Sequence, residues 1–515
     1  MLFYDDVRIE VESGGGWMDI SAYVDSEQAI SFHRGIQGNS ITDRTARVGS
    51  LSFTALDKNG LFDPISASKV LQNGTPVRIV FAYEGIERVL WYGAIDAVQP
   101  RQDNLYLRRA RISAKCVLEQ YNRPVTTLIT TQKTASDVVD EINTVLGMTL
   151  SDGQKKYGVM SKTFPTVFDT VKQNQNGLSE ISKAVLSELG YFYARGTRSL
   201  SANFVLTVDG RETRSGYSFI HIPKGKDQSG YLLTETGGWL LQENGAPLIL
   251  DEVEEMRGFD ALAAASLTYG KNIVNDCIVT VYPRKYSAST VVIFSLENPI
   301  SIEPDETIEM VVRYRDPDQL AQSITARSTI LPESGVDTLA NDEDDGSGAD
   351  RTSDLAVTAV YSAADIAYTL QNAGATRLYV TKLQARGQGI FFYASLTARS
   401  QDTASQAANG YRLLQLNLRY LEEVTEAAAI AETIVTHAKD VFQEVEAIEV
   451  FANASSQTLF GAMFLDIGDP IEVPVLDAAG SAAVVKHFIN GMSWTGQNGY
   501  WHVRYTCAPQ EVVEL

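Results

Sequence analysis

The sequence predicts a mainly β protein that is divided into several domains and carries an α+β insertion. At 515 residues the chain exceeds the size of one ordinary hydrophobic core, which predicts about three or four domains. Its 44% hydrophobic and 21% charged residues are typical of globular proteins and not of disordered ones. Its 23 tyrosines and 19 phenylalanines, set against 15 prolines, favour β-rich domains with well-filled cores.

The first 118 residues consist of short apolar stretches that are separated by turn signals. Residues 7–11 alternate with period two, the glycines at 14–16 predict a hairpin tip, and residues 17–20 predict the returning strand. Further strands are predicted at 50–56, 77–83 and 89–95, with Asn59-Gly60, Asp63-Pro64 and Asn73-Gly74 as turns. This spacing predicts a small antiparallel barrel or sandwich over residues 1–118.

After residue 118 the spacing of the apolar residues changes, and residues 119–230 predict an inserted α/β module. Thr134 and Asp137 have the spacing of a capping box, and apolar residues from 138 to 146 fall on one helical face. A second helix is predicted at 178–189, with Gly190 closing it in the left-handed conformation. A strand at 191–193 should then pair with one at 203–208.

Residues 231–256 contain a short repeat that predicts a linker strap, and the acids Glu235, Glu243 and Glu252 recur at similar places in it. A catalytic role for these acids is less favoured than a meander or an extended strap. Residues 257–317 together with 424–515 predict a second β domain that also holds a helix from Glu423 to His437. Residues 318–423 predict a β-sandwich inserted into that domain. Within it the acidic segment 341–350 predicts an exposed loop, since Thr352 replaces the glutamate that would close a calcium loop.

The charge pattern argues against binding to nucleic acid. The formal net charge of −21 repels phosphate, and the strongest basic stretch, from Arg101 through Arg108, Arg109 and Arg111 to Lys115, fits a domain rim or a subunit contact equally well. An acidic surface suits solubility, or a lumen through which DNA passes without sticking. No stretch is long and apolar enough for a membrane helix, and no signal peptide is predicted at the N-terminus, which favours assembly in a cytoplasm.

Common catalytic motifs are absent from the sequence, including metalloprotease, lipase and P-loop signatures. The five histidines are scattered, although His487 and His502 lie in predicted C-terminal strands and could meet across a hairpin. Cys116, Cys277 and Cys507 are widely spaced and predict small buried residues rather than disulfides or metal ligands. We therefore expect no catalytic, cofactor-binding or metal-binding residues.

Five short motifs in the first domain resemble, in order, those of bacteriophage and prophage tail-tip proteins of the baseplate-hub family. They are ISFHRG at 30–35, VGSLSF at 48–53, LDKNGLFDP at 56–64, GTPVRI at 74–79 and GAID at 93–96. Later stretches resemble the same family, notably LYVTKLQARG at 378–387, IGDPIEV at 467–473 and FINGMSW at 488–494. The sequence departs from the family pattern at Ser50, where a threonine is usual, and in the order of Lys58-Asn59-Gly60.

The resemblance implies two related tail-tube-like antiparallel β-barrels, each carrying an insertion. Three copies would form a pseudo-sixfold ring that closes the tail tube at the virion tail tip and adapts it to a central fibre or spike. The partners implied are a tail tube or distal tail protein, a tape measure protein and a tail fibre or spike. The chain would be structural and not an enzyme; the alternative is a tail-associated carbohydrate-binding or cell-wall hydrolase module.

Overall fold

The computed structural model describes residues 7–57, 60–63, 65, 70–83, 85–102, 108–169, 175–211, 213–214, 220–221, 259, 262–316, 319–476 and 482–510. The expected fold class, mainly β with α+β and β-sandwich insertions, is confirmed. Among the described strands no closed barrel is found. The repeat at 231–256, with its three glutamates, lies outside the described residues, as do Lys58, Asn59 and Pro64.

The N-terminal part consists of seven strands. The hairpin around Gly14 and Gly15 is confirmed, because both glycines have positive φ and the flanking strands pair across them. The part of the basic stretch from Arg108 to Lys115 lies in the seventh strand, which the sequence did not predict because its arginines hide the alternation. The strands are β1 Val7–Ser13, β2 Gly16–Asp19, β3 Ile30–Gly35, β4 Arg47–Leu56, β5 Pro76–Tyr83, β6 Ile86–Gln102 and β7 Arg108–Cys116.

The inserted α/β segment follows. Its elements are β8 Pro124–Val125, β9 Thr130–Lys133, α1 Ala135–Val145, β10 Lys155–Tyr157, β11 Phe164–Val167, β12 Gln175–Asn176, α2 Gly177–Glu188, β13 Tyr191–Arg195 and β14 Val205–Asp209. The capping box of α1 is confirmed: the Asp137 N–H donates to Thr134 Oγ1, and the Thr134 N–H donates to Asp137. The prediction for the end of α2 is wrong by one residue, since Leu189 takes the left-handed conformation. Gly190 serves close packing instead, because a Cβ there would lie 2.4 Å from the Asp209 carbonyl oxygen.

Strands dominate the middle of the chain. They are β15 Ile220–His221, β16 Ala264–Tyr269, β17 Asp276–Val281, β18 Arg284–Tyr286, β19 Val291–Ser295, β20 Ile300–Ile302, β21 Thr307–Arg313, β22 Arg315–Asp316, β23 Gln319–Ile330, β24 Thr338–Asn341, β25 Leu355–Tyr361, β26 Asp365–Asn372, β27 Leu378–Phe392 and β28 Leu396–Gln401. The two strands predicted at 378–383 and 390–394 form the single long strand β27. Because five shorter strands pair with β27 along its length, it organises the sandwich sheet.

The C-terminal part contains α3 Thr403–Asn409, β29 Leu413–Asn417, α4 Val424–Ala438, β30 Gln443–Phe451, α5 Ser456–Phe464, β31 Pro470–Leu476, β32 Ala482–Gln497 and β33 Tyr500–Pro509. The predicted helix starting near Glu423 is confirmed as α4. Helix α5 was not predicted, because all its residues from Thr458 to Phe464 are buried and no polar stripe marks a helical period.

One sheet of 13 strands joins the two ends of the chain. Its main path runs β16-β30-β33-β32-β3-β4-β7-β6-β5-β1-β2. The N-terminal half meets the C-terminal half where β3 pairs with β32, from Ile30 opposite Gly496 to Gly35 opposite Gly491. These 13 strands therefore form one continuous open sheet with two halves.

Two hydrophobic cores lie on this framework. The first includes the large sheet, the α/β segment and α4, and Trp494 is fully buried in it beside Phe32, Phe81 and Trp501. The second core, with buried residues from Ile293 to Ala385, belongs to the sandwich. Strands β19 and β20, which precede residue 318, contribute to this second core. The domain boundaries given above stay predictions.

Candidate functional site

Two of the family-like motifs meet at a buried cluster of ion pairs, which we call the central junction and define as Arg34, Arg88, Arg195, Asp466 and Asp469. Arg34 belongs to the motif at 30–35 and Asp469 to the motif at 467–473. The Asp466 side chain is fully buried, while 6% of the Arg34 side chain and 7% of the Arg88 side chain are exposed. The junction therefore joins the first half of the sheet, the α/β segment and the second half.

Asp466 is the centre of the junction. Its Oδ1 lies 2.7 Å from Arg34 Nη1, and its Oδ2 lies 2.6 Å from Arg88 Nη2. The backbone N–H of Gly196 also donates to Asp466 Oδ2 at 2.9 Å. Asp469 completes the cluster, because its Oδ1 accepts from Arg195 Nη2 at 2.5 Å and its Oδ2 accepts from the Asp466 N–H at 2.8 Å.

The arginines of the junction also bind backbone carbonyls, so each one ties together segments that are distant in sequence. Arg34 donates to the carbonyl oxygens of Leu90 and Ala194, both at 2.8 Å. Arg88 donates to the Met463 carbonyl oxygen at 2.6 Å, at the end of α5. Planar guanidinium groups suit this task because they present several donors in a fixed geometry.

The charges at the junction shift the protonation equilibria of its members. Burial alone would raise the pKa of Asp466, but the three neighbouring arginines outweigh it and hold that pKa well below its ordinary value. Burial lowers the pKa of Arg88 to about 10, so Arg88 stays protonated at neutral pH. Burial would also lower the pKa of Arg195, whereas Asp469 and Asp466 raise it above its usual value. Asp466, Arg88 and Arg195 thus remain charged and paired, which suits a structural lock.

Two motif glycines make the close packing around the junction possible. Gly468 has a φ of +87°, and a Cβ on it would lie 2.0 Å from the Tyr193 hydroxyl. Gly35 has a φ of +110°, and a Cβ on it would lie 2.5 Å from the Asn490 carbonyl oxygen. Both positions need a residue without a side chain. The motifs therefore specify packing between β3, β13 and the segment before β31.

A second ionic cluster ties the α/β segment to the sandwich stem. The guanidinium of Arg284, on β18, pairs with the buried Asp169 and donates from Nη2 to the Arg419 carbonyl oxygen at 2.7 Å. The Tyr420 hydroxyl donates to Glu180 of α2 at 3.0 Å. These contacts bridge the α/β segment and the chain on either side of the sandwich.

The carboxylates whose pKa values are raised are all hydrogen-bonded within the fold. Burial raises the pKa of Glu188, which accepts from the backbone N–H groups of Ser161 and Lys162 at 2.7 and 3.0 Å. Burial also raises the pKa of Glu444, which accepts from both the backbone and the side chain of Asn272. Such satisfied acids are typical of structural positions. A hydrolase would need paired acids in a concave pocket, and the described lining of the cavity between β1 and the β32–β33 turn holds one carboxylate, Asp19.

The two C-terminal histidines and the three cysteines singled out in the sequence are held within the fold. His487 and His502 do not meet, because they lie opposite Pro509 and Thr495 in the β32–β33 register. The buried His487 accepts from the Val445 N–H at 2.8 Å, and burial lowers its pKa to about 4. The three cysteines are buried and free, as expected.

The basic stretch of β7 is neutralised by acids from neighbouring segments. Arg108 pairs with Asp63 at 2.8 Å, Arg109 with Asp25 at 2.7 Å, and Lys115 with Glu119 at 3.1 Å. These pairs explain Arg108, Arg109 and Lys115 as part of the fold.

Within the part of the chain that the structure describes, no group of three or more metal-ligating side chains is found, and no helix is long and apolar enough to cross a membrane. Arg34 and Asp469 lie in motifs recognised from sequence, but sequence reasoning missed Arg88, Arg195 and Asp466. Asp466 directly precedes the motif at 467–473. Arg88 and Arg195 carry no local signal, because their role arises only from contacts over long sequence distances.

No protein-family model matches the sequence, and no curated protein sequence matches it. Solved structures do. The 43 kDa tail protein of prophage MuSo2 from Shewanella oneidensis is 9% identical, with 99% of both chains covered and a TM-score of 0.47. A tail protein from Neisseria meningitidis MC58 is 7% identical, with 99% of this chain and 98% of that chain covered and a TM-score of 0.48.

A third solved structure is an E. coli component of the type VI secretion system, described as structurally similar to the T4 bacteriophage tail proteins gp27 and gp5. It is 10% identical, with 98% of this chain and 76% of that chain covered and a TM-score of 0.38. The resemblance to tail proteins that the motifs indicate is matched, as a likeness of fold, by solved tail proteins across nearly the whole chain.

Proposed function

We propose that this chain is a structural subunit of a bacteriophage tail, and more specifically a baseplate hub at the tail tip. The observation that carries the proposal is the central junction, in which Arg34 and Asp469 from two family-like motifs belong to one buried ionic cluster. Motif residues that hold distant segments together favour a mechanical role over a chemical one. The subunit would be assembled in the host cytoplasm and reside in the virion tail tip.

The large sheet supports the ring expected of such a hub. Its two halves come from the two ends of the chain and join edge to edge at β3 and β32. If each half serves as one tube-like unit, three copies supply six units, which matches a hexameric tail tube above and a threefold fibre or spike below. The tape measure protein and a tail tube or distal tail protein would be the neighbours on the tube side.

The charge suits a lumen that DNA crosses. Three copies of a chain with a net charge of −21 would carry about −63 in total, which discourages adhesion of phosphate backbones. Opening on host contact would then be a change at subunit interfaces, while the ionic junction keeps each subunit rigid.

Mass photometry combined with two-dimensional averages from electron microscopy tests the proposal on the full chain. We expect a trimer that forms a ring with threefold symmetry and an open centre. A chain that remains monomeric alone should form this ring when a tail tube protein is added. A stable monomer under both conditions, or a sixfold ring, would contradict the hub.

A further inference from the structure

A small cavity lies beside the central junction, and we call it the arginine cavity because Arg34 and Arg195 line its wall. Its volume of about 10 Å³ is comparable to one small particle, such as a water molecule or a halide ion, and excludes larger ligands. Much of the remaining wall is apolar, with Leu90, Leu118 and Phe204 among its members. The described wall residues include two guanidinium groups and no carboxylate, so the cavity is cationic.

Arg34 brings two unused N–H groups to this cavity. Its Nε donates to the Leu90 carbonyl oxygen at 2.8 Å, and its Nη1 donates to the Ala194 carbonyl oxygen at 2.8 Å and lies 2.7 Å from Asp466 Oδ1. Its Nη2 is buried and has no hydrogen-bond partner among the residues that the structure describes. A buried charged donor without an acceptor is unfavourable, so an acceptor beside Nη2 would stabilise the fold.

The neighbours of the Arg34 guanidinium show that it borders the cavity. A Cβ on Gly196 would lie 3.3 Å from Arg34 Nη2, and Gly196 is part of the wall. Leu90 and Ala194, which accept from the other two nitrogens, also belong to the wall. Since Nε and Nη1 are engaged by oxygens of the fold, Nη2 supplies the free N–H groups at this place.

The central junction also has more positive than negative charge. Its three arginines are paired with two carboxylates, those of Asp466 and Asp469, which leaves a formal charge of +1 on the five residues. An unbalanced charge in a buried place is unfavourable, because little water is present to solvate it. A water molecule at Nη2 would satisfy the free donors and leave the charge as it is. A monovalent anion would do both.

We propose that the arginine cavity binds one halide ion, with chloride as the physiological ion. The ion would accept from Arg34 Nη2 and neutralise the junction. Asn203, also in the wall, offers a further donor, because its Oδ1 accepts from Arg78 at 2.7 Å and its amide nitrogen is left to donate. Strands β3, β6 and β13 all contribute to the wall, so the ion would hold them together. This binding depends neither on the hub role nor on trimer formation.

Urea denaturation of the full-length protein tests this site. Chloride is varied at constant ionic strength, with gluconate, an anion too large for the cavity, making up the difference. A rise from about 10 to about 100 mM chloride should increase the folding equilibrium constant by about three- to tenfold, as expected for one site with a Kd of about 1–30 mM. Bromide should act like chloride. Equal stability in chloride and in gluconate would overturn the proposal.

Two variants of one segment separate the cavity from surface effects of salt. Arg195→Gln removes the excess charge, while its amide can still donate to Asp469, so the Kd for chloride should rise by about tenfold or more. Arg198→Gln is the matched control, because Arg198 is exposed and lies outside the junction. It should keep the native response to chloride. A response that Arg195→Gln keeps and Arg198→Gln abolishes would place the ion on the surface and overturn the proposal.

Diffraction from crystals of the native chain grown in sodium bromide locates the ion directly, since bromine scatters anomalously. We expect an anomalous peak within hydrogen-bonding distance of Arg34 Nη2. A water molecule at Nη2 without such a peak would contradict the halide site. If Arg195→Gln does not fold, this map decides the question alone.

Discussion

At the residue scale, the buried ions of the central junction are the most consequential side chains. A buried ion pair costs about as much in desolvation as it gains in attraction, so its presence adds little net stability. Removing one partner is different, because it leaves the opposite charge buried and unpaired. Asp466 contacts two arginines at once, and it therefore controls the charge balance of the cluster.

Asp466→Asn tests this reasoning. The substitution keeps the size and most of the hydrogen-bonding capacity, yet leaves Arg34 and Arg88 without their carboxylate, so we expect the free energy of unfolding to fall by about 3–5 kcal/mol. Urea denaturation followed by circular dichroism measures it. Glu303→Gln is the matched control, since the Glu303 and Arg377 side chains are 53% and 55% exposed, and its midpoint should not change. A native-like midpoint for Asp466→Asn would show that the junction does not hold the fold.

His487 predicts how the stability of the chain depends on mildly acidic pH. Burial lowers its folded pKa to about 4, while an unfolded histidine titrates near 6.5. Between these values the unfolded chain binds a proton that the folded chain excludes, so stability falls as the pH falls, by about 3 kcal/mol in total. Its Nε2 accepts from the Val445 N–H, a role that the glutamine of His487→Gln can take over.

Denaturation of both proteins from pH 4 to 7 makes this test specific. Glu188 and Glu444 have raised pKa values and act in the opposite direction, but they are common to both proteins. At pH 4 the native chain should therefore have a lower free energy of unfolding than His487→Gln. This difference should shrink as the pH rises toward 7. A difference that does not vary with pH would mean that the pKa of His487 is the same in the folded and unfolded chains.

At the element scale, prediction from sequence succeeded where local signals were strong. The capping box of α1 and the Gly14-Gly15 hairpin each depend on a few neighbouring residues, and both are found. Helix α5 failed because it is buried on all sides, and β7 failed because ion pairs with distant acids place arginines on a strand. The contacts that decided these two cases are not local, and no window of sequence contains them.

The acidic loop provides a test at this scale. Residues 343–350 are exposed, and the loop is closed at its base by the Asn341–Asp350 bridge and by Arg351 Nε, 2.6 Å from Asp342 Oδ1. Since the tip buries little surface, deletion of residues 343–348 should leave the melting temperature and the assembly state unchanged. Differential scanning calorimetry and mass photometry measure the two. A clear loss of either would show that the loop packs against a partner or a neighbouring copy.

At the scale of the whole molecule, the junction of the two sheet halves could not be read from the sequence. Asn490 donates to the Gly38 carbonyl oxygen across 452 positions, and β3 pairs with β32 over a similar span. The motifs identified which segments matter, but local turn chemistry says nothing about which distant segments meet. Composition and strand spacing predicted the mainly β class, whereas the ionic partners of Arg34 required the structure.

The sandwich should be separable from the rest of the molecule. It has its own core, and the chain enters and leaves it through an antiparallel pair in which Tyr286 lies opposite Ile390. Replacing residues 287–389 with Asn-Gly would connect this pair by a two-residue hairpin turn. We expect the shortened chain to unfold cooperatively and to assemble like the native protein, because the large sheet and the central junction remain intact.

Size-exclusion chromatography with light scattering, together with urea denaturation, measures both properties. As a control, Arg284→Met in the shortened chain leaves Asp169 without its buried partner and should destabilise it. If the shortened chain folded but no longer assembled, the sandwich would be part of the subunit contact and not an accessory. If the shortened chain did not fold at all, the two cores would form one cooperative unit. The second ionic cluster would then depend on the sandwich, which follows β18 in the chain.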